Sequence, residues 1–170
     1  DKELGKLKLT FGENILAENN RYELLITDPS DLDGLPDGAI EAAKQTAAEK
    51  NKKGWLINLD YPSYIPFMTY SKKRILRQEL ALAFGRKGFQ NDALDNQEIV
   101  LRITQLRFKR AKLLGYNTHA HFVLEERMAK TPEKVLEFLY DLLEKEKPAA
   151  QSEFKKLEDF AKELDGIDQL

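Results

Sequence analysis

Leu4, Leu7, Phe11 and Ile15 recur at steps of three and four residues, which places them on one stripe of a first helix over residues 3–19, with Asn19 and Asn20 available to end it. The pattern then changes. "RYELLIT" (21–27) carries the β-favouring Tyr22, Leu24, Ile26 and Thr27, and "DPSDLDGLP" after it is dense in turn residues. "DGAIEAAKQTAAEKN" (37–51) is alanine-rich with few breakers, so it reads as a helix with Asp37 as its N-cap. "GWLINLD" (54–60) alternates around Trp55, Ile57 and Leu59 and is the natural partner of residues 21–27. A helix between two strands permits a parallel crossover or an antiparallel pair with a helical excursion. A small two-stranded element is expected, which needs helices packed on it to be stable.

Pro62 and Pro66 stand among Tyr61, Tyr64, Phe67 and Tyr70, which suggests an irregular aromatic segment or a short turn of helix. From there the chain reads as helical. Residues 72–88 place Leu76, Leu80, Ala83 and Phe84 on one face and end at Gly88, a C-cap candidate. Residues 95–115 open with Asp95 and Glu98 at capping-box spacing, carry Ile99, Ile103 and Leu106 as a stripe, and stop at Gly115. Thr118 can cap a short helix. Thr131 followed by Pro132 is a start signal, since proline at the first helical position gives up an amide that had no partner. In the last helix Val135, Leu139 and Leu142 form one set and Ala150, Phe154, Leu157, Ala161 and Leu164 another. The two do not continue in one register, so a kink or a break into a hairpin is expected at Pro148.

The pattern therefore predicts a mainly α fold, multi-helical, with a small two-stranded β element and a long kinked C-terminal helix or helical hairpin. No internal repeat or low-complexity linker divides residues 1–170, which read as a single helical unit.

Composition narrows the function classes. The 170 residues are 42% hydrophobic, enough for one moderate core. Twenty-seven basic against 29 acidic residues give a formal net charge of -2, so no whole-protein field draws the chain to nucleic acid or to an anionic membrane. Zero cysteines rule out disulfides, thiolate zinc sites and cysteine nucleophiles. They suit cytoplasm or periplasm alike, with the cytoplasm as the expectation. Apolar runs of a few residues fall far short of the roughly 20 that span a bilayer. No basic-then-apolar leader is present, and a first residue of Asp1 suggests an excised piece or a processed product.

"YNTHAHFVLEERMAKT" (116–131) holds both histidines, His119 and His121, with Glu125 and Glu126 downstream. On a helix the two histidines lie about 200° apart and cannot chelate one ion. His121 and Glu125, at i and i+4, share a face and make two ligands at most, whereas a catalytic zinc site needs three and an open position. "RFKRAK" (107–112) gathers Arg107, Lys109, Arg110 and Lys112, which suit phosphates but also suit the C-terminal end of a helix dipole. The Tyr61–Tyr70 stretch has the composition to stack bases or hold a peptide, with packing against the ribbon as the plainer alternative. No nucleophile stands beside a recognisable base, and no glycine spacing makes a phosphate cradle. Read from its residues alone, the chain is a helical domain with no active site of its own.

"LLGYNTHAHFVLEERMAKTPEKVLEFLYDL" (113–142) resembles the thimet oligopeptidase and peptidyl-dipeptidase family of zinc metallopeptidases. "FGENIL" near the start, "DLDGLP" (31–36), "GWLINLDYPSYIPFM" (54–68) and "LRQELALAFGRKG" (76–88) resemble the same family in the same order, so the resemblance covers essentially the whole chain. "GW" and the "PSY-PFM" pattern bring it nearest to the bacterial peptidyl-dipeptidase (dipeptidyl carboxypeptidase) branch. The resemblance implies a much longer, nearly all-helical parent with two lobes around a channel that admits short peptides. It also implies zinc held by the two histidines of H-E-x-x-H and a later glutamate, all C-terminal to the segment matched here. No catalytic or metal residue is therefore expected in this chain, no zinc is expected on it, and its substrate-binding residues stay unknown. His121 departs from the family pattern, standing where members carry an acidic residue.

The expected role is a scaffold and channel-wall segment of a peptidase that acts on oligopeptides and releases C-terminal dipeptides. Its partners are then those substrates and the remainder of the same polypeptide, with no nucleic acid and no membrane. The alternative is a stand-alone helical interaction module without catalytic activity.

Overall fold

A computed structural model describes residues 1–166. They fall into two compact units, residues 1–106 and residues 107 onward, which divide within one helix. In order, the chain forms α1 (Lys2–Arg21), β1 (Leu24–Ile26), a 3-10 turn (Pro29–Leu32), α2 (Asp37–Glu49), β2 (Trp55–Ile57), α3 (Tyr61–Tyr70), α4 (Arg74–Gly85), α5 (Gln97–Leu113), α6 (His119–Leu124) and α7 (Pro132–Asp165). The mainly α fold with a two-stranded element is thus the one observed.

In the first unit, β1 and β2 pair antiparallel with Leu24 opposite Ile57, Leu25 opposite Leu56 and Ile26 opposite Trp55. The open question of strand direction is settled in favour of an antiparallel pair with α2 as the excursion. In β1, buried Leu24 and Ile26 flank exposed Leu25. β2 does not alternate, because Leu56 and Ile57 are both buried. A strand covered on both faces is a continuous apolar run. Onto the ribbon pack Leu32, Leu35, Ala43, Leu59, Phe67 and Leu80 to form the core. Gly54 enters β2 at φ +124, where a Cβ would overlap the Ile26 carbonyl oxygen. Only glycine permits that approach.

Several expected boundaries move, each for a physical reason. α1 continues through Asn19 and Asn20 to Arg21, since Asn19 is held from outside by donating to Asp60 at 2.7 Å. Asp37 is the first helical residue of α2 instead of its cap, a position where its charge still favours the helix dipole. The aromatic segment 61–70 is neither irregular nor a single turn: it is the helix α3, with Pro66 inside. Pro62 sits in the first turn, and the Asp60 carbonyl accepts from Ser63 and Tyr64 at 2.9 and 2.8 Å, so the start is secured. The amide missing at Pro66 is outweighed by burial of Phe67, with Tyr64 and Met68 packed on the same core.

Gly88 has a positive φ of 72 but does not cap α4, which ends at Gly85. Its amide donates instead to the buried carboxylate of Glu18, which also accepts from the Gln90 side chain and from Arg21. A Cβ at Gly88 would press on Asn96 Nδ2 and Ile15 Cδ1. Asn96, also buried, accepts from Asn14 at 3.0 Å and donates to the Phe11 carbonyl at 3.2 Å. Together Glu18 and Asn96 fasten the 86–96 loop to α1. Asp95 lies one residue further from α5 than a cap, accepting from the amides of Gln97 and Asn91.

In the second unit α5 ends in a Schellman turn: Gly115, at φ +87, donates to Lys112 O at 3.1 Å and Tyr116 donates to Ala111 O at 2.9 Å. α7 passes through Pro148 as one helix, so the long helix is observed and the hairpin is not. At about 100° per residue, the two apolar sets fall within a single sector of about 120°, so the apparent register slip needs no break. Among the described residues, Ala111 is the only buried apolar side chain of this unit.

Glu18→Ala strands the Gly88 amide and is expected to cost about 3 kcal/mol in urea unfolding, with Glu18→Gln, which keeps an acceptor, costing less. Gly54→Ala is expected to cost about 2 kcal/mol, because neither φ nor the Ile26 carbonyl can yield cheaply.

Candidate functional site

The histidine-bearing segment is built by local capping. Thr118 is the N-cap of α6, its hydroxyl accepting from the His121 amide at 3.4 Å and lying 2.8 Å from His121 Nδ1. His121 Nε2 faces Glu133 Oε1 at 3.4 Å, in the first turn of α7. Thr131 caps α7 by accepting from the Lys134 amide at 3.3 Å. The residue before it, Lys130, takes a left-handed φ of 66 to make the corner. The Glu133 carboxyl is held below its usual range by hydrogen bonds from its own amide and the Thr131 hydroxyl, helped by His121.

His121 and Glu125 do not pair as their spacing suggested. Glu125 accepts from the Tyr116 hydroxyl instead, and that hydrogen bond pushes the Tyr116 phenol upward. Glu125 is the C-cap of α6, still in a right-handed helical conformation, and its carboxylate is taken by Tyr116 and not by His121. His119 lies 6.2 Å, ring to ring, from Phe122, whose ring also meets Tyr116 at 5.3 Å. Both ring nitrogens of His121 are thus engaged by Thr118 and Glu133. Among the described residues no three His, Asp or Glu side chains converge as a metal site. This donor set does not fit a catalytic zinc, and no step through a metal is derived from it.

The basic run is partly absorbed by aromatic rings. Arg110 lies 5.0 Å from the Phe122 ring centroid and Lys112 5.5 Å from that of Phe108. Of the tyrosine stretch, Tyr64 stacks on Phe84 at 4.3 Å, with Lys87 Nζ 3.8 Å from the same ring, while Tyr61 and Tyr70 stay exposed. Phe84 is therefore a packing platform on α4.

A cavity of about 200 Å³ lies between α2, β2 and α3, with Ala42, Ala43, Ile57 and Phe67 as apolar walls and Thr46, Asn58 and Ser63 as polar ones. Sequence reading missed it. The signal was the alanine content of α2, which reads as helix propensity when no opposing surface is known. The Ser63 hydroxyl is already engaged as acceptor from the Asn58 amide at 3.1 Å.

Removing the α6 cap with Thr118→Ala is expected to cost about 1 kcal/mol and to speed amide exchange at His121. The depressed Glu133 carboxyl contributes stability that is present above the ordinary glutamate range and lost as pH falls below it. An acid titration followed by circular dichroism is expected to show this component in the native chain and not in Glu133→Gln.

Comparison with known proteins places the whole chain. The model of peptidase family M3 matches residues 67–170. Oligopeptidase A of Escherichia coli (strain K12) is 36% identical over 171 residues, covering 98% of this chain and 25% of its own length. The probable cytosolic oligopeptidase A of Arabidopsis thaliana is 38% identical, covering 95% of this chain and 24% of its own. The dipeptidyl carboxypeptidase of Escherichia coli (strain K12) is 29% identical, covering 92% and 23%. The chain spans about a quarter of the length of the curated relatives it matches. The motifs that resembled the oligopeptidases thus lie in a match that runs from end to end, and the chain belongs to peptidase family M3.

Proposed function

We propose that this chain is a scaffold and channel-wall segment of a zinc metallopeptidase that hydrolyses short peptides. The observation that carries the reading is the match to oligopeptidase A, which covers nearly all of this chain and a quarter of the relative. The described residues build a ribbon core, capped turns and a long helix, which suit a segment that supplies surface and support. The cytoplasm is the proposed compartment, supported by the relative named as cytosolic. No described helix is long and apolar enough to cross a membrane.

Release of dipeptides from C-termini is the finer form of the proposal, supported by the dipeptidyl carboxypeptidase relative. The higher identity to the oligopeptidase A proteins favours a second form, internal cleavage of oligopeptides. Blocking the C-terminus separates them. In the full-length gene product, a dipeptide-releasing enzyme loses at least tenfold in rate on a C-terminally amidated peptide, and an internally cleaving one changes little. Either activity is expected to vanish on chelation and return with zinc. The isolated 170-residue chain is expected to bind no stoichiometric zinc and to hydrolyse no peptide; chelator-sensitive hydrolysis by that chain alone overturns the scaffold reading.

A further inference from the structure

Four polar side chains line the cavity between α2, β2 and α3, and the fold uses each of them once while leaving a further function open. Thr46 Oγ1 donates to the Ala42 carbonyl at 2.9 Å, so its lone pairs are left to accept. Ser63 Oγ accepts from the Asn58 amide at 3.1 Å, so its hydrogen is left to donate. Asn58 Oδ1 accepts from the Asp60 amide at 3.0 Å, which fixes the side chain and leaves its nitrogen as a second donor. Asp60 Oδ1 accepts from Asn19 at 2.7 Å, and the other carboxylate oxygen is a second acceptor. Among the described residues none of these four open functions has a protein partner. The bonds already made hold each group in place before any ligand arrives.

Two donors and two acceptors beside an apolar floor of Ile57 and Phe67 select a ligand by charge. A carboxylate would meet Asp60, and among the described residues no lysine, arginine or histidine lines the cavity to offset that repulsion. An ammonium group has no acceptor, so it would strip the Ser63 and Asn58 donors of water and give them no partner. A neutral amide satisfies both kinds of group, because its carbonyl accepts and its N–H donates. Size narrows the choice further. About 200 Å³ exceeds the roughly 150 Å³ that takes benzene and falls short of the roughly 300 Å³ at which pockets for drug-sized ligands begin. We propose that this cavity is a binding site for a single small apolar residue of a peptide. Its side chain lies against Ile57 and Phe67, its carbonyl accepts from Ser63 and Asn58, and its N–H donates to Thr46 or Asp60. The inference goes beyond the peptidase reading, since no step of hydrolysis is assigned to the cavity.

The test uses the full-length gene product with its alanine methyl groups isotope-labelled for NMR. Titration with N-acetyl-valinamide is expected to shift the methyl signals of Ala39, Ala42 and Ala43 saturably. Isovalerate and isopentylamine carry a similar branched group on an anion and a cation, and they are expected to bind about tenfold and about fivefold more weakly. Ala42→Leu adds bulk at an exposed position of α2 that lines the cavity, and leucine keeps the helix, so the amide is expected to weaken about tenfold in a folded protein. Ser63→Ala removes one donor and is expected to weaken it about fivefold. The probe series needs no variant and decides the question even where Ser63→Ala does not fold. Absence of a saturable shift at these methyls overturns the inference, as does an affinity that Ala42→Leu leaves unchanged, or tighter binding of the amine or the carboxylate than of the amide. Peptide hydrolysis by the same preparation separates the two claims: hydrolysis without amide binding sinks this inference, and amide binding without hydrolysis sinks the peptidase reading.

Discussion

Two strands of three residues cannot hold a sheet together, and the whole arrangement of the first unit answers that constraint. The ribbon persists because helices close over it. Alanines at 43 and 47 are buried on α2, where a larger side chain would hold the helix away. Phe67 from α3 and Leu80 from α4 complete the same core. Gly54 lets the chain pass against the Ile26 carbonyl as it enters β2, and Gly34, at φ +91, lets the turn before α2 approach the Tyr70 carbonyl. The tight glycine turns and the helix packing are thus two halves of one solution.

What the sequence made legible was physics contained within four or five residues. Thr118, Gly115 and the Thr131–Pro132 pair were readable because a cap needs only its own turn to act. Gly88 misled for the complementary reason. Its positive φ was foreseeable, but the partner that explains it, Glu18, lies 70 residues away. Pro66 misled in a related way. A proline's local penalty is visible in sequence, while the packing of Phe67 is not. The candidate site failed on the same ground. Helical spacing correctly separated His119 from His121, but the pairing of His121 with Glu133 needed the corner at Lys130 to fold α7 back.

The same distinction accounts for the second unit. Its local signals are strong, so its helices are well marked, yet its apolar side chains are largely uncovered among the described residues. Helix propensity and capping define where a helix runs, and burial of an apolar face supplies most of its stability.

Family membership is shown here by a match that takes in residues whose visible work is to direct the chain. In "LLGYNTHAHFVLEERMAKT" the positions with clear physical work are Gly115 in the Schellman turn, Thr118 on α6, Lys130 at the left-handed corner and Thr131 on α7. Each fixes the direction of the chain, and none converges on a metal or a nucleophile. A helix end, a short capped helix and a new start set at fixed spacing are a strict geometric demand, since moving any one by a residue rotates every later side chain of that helix by about 100°. Such a demand ties these residue types to these positions without calling on any metal ligand among the described residues.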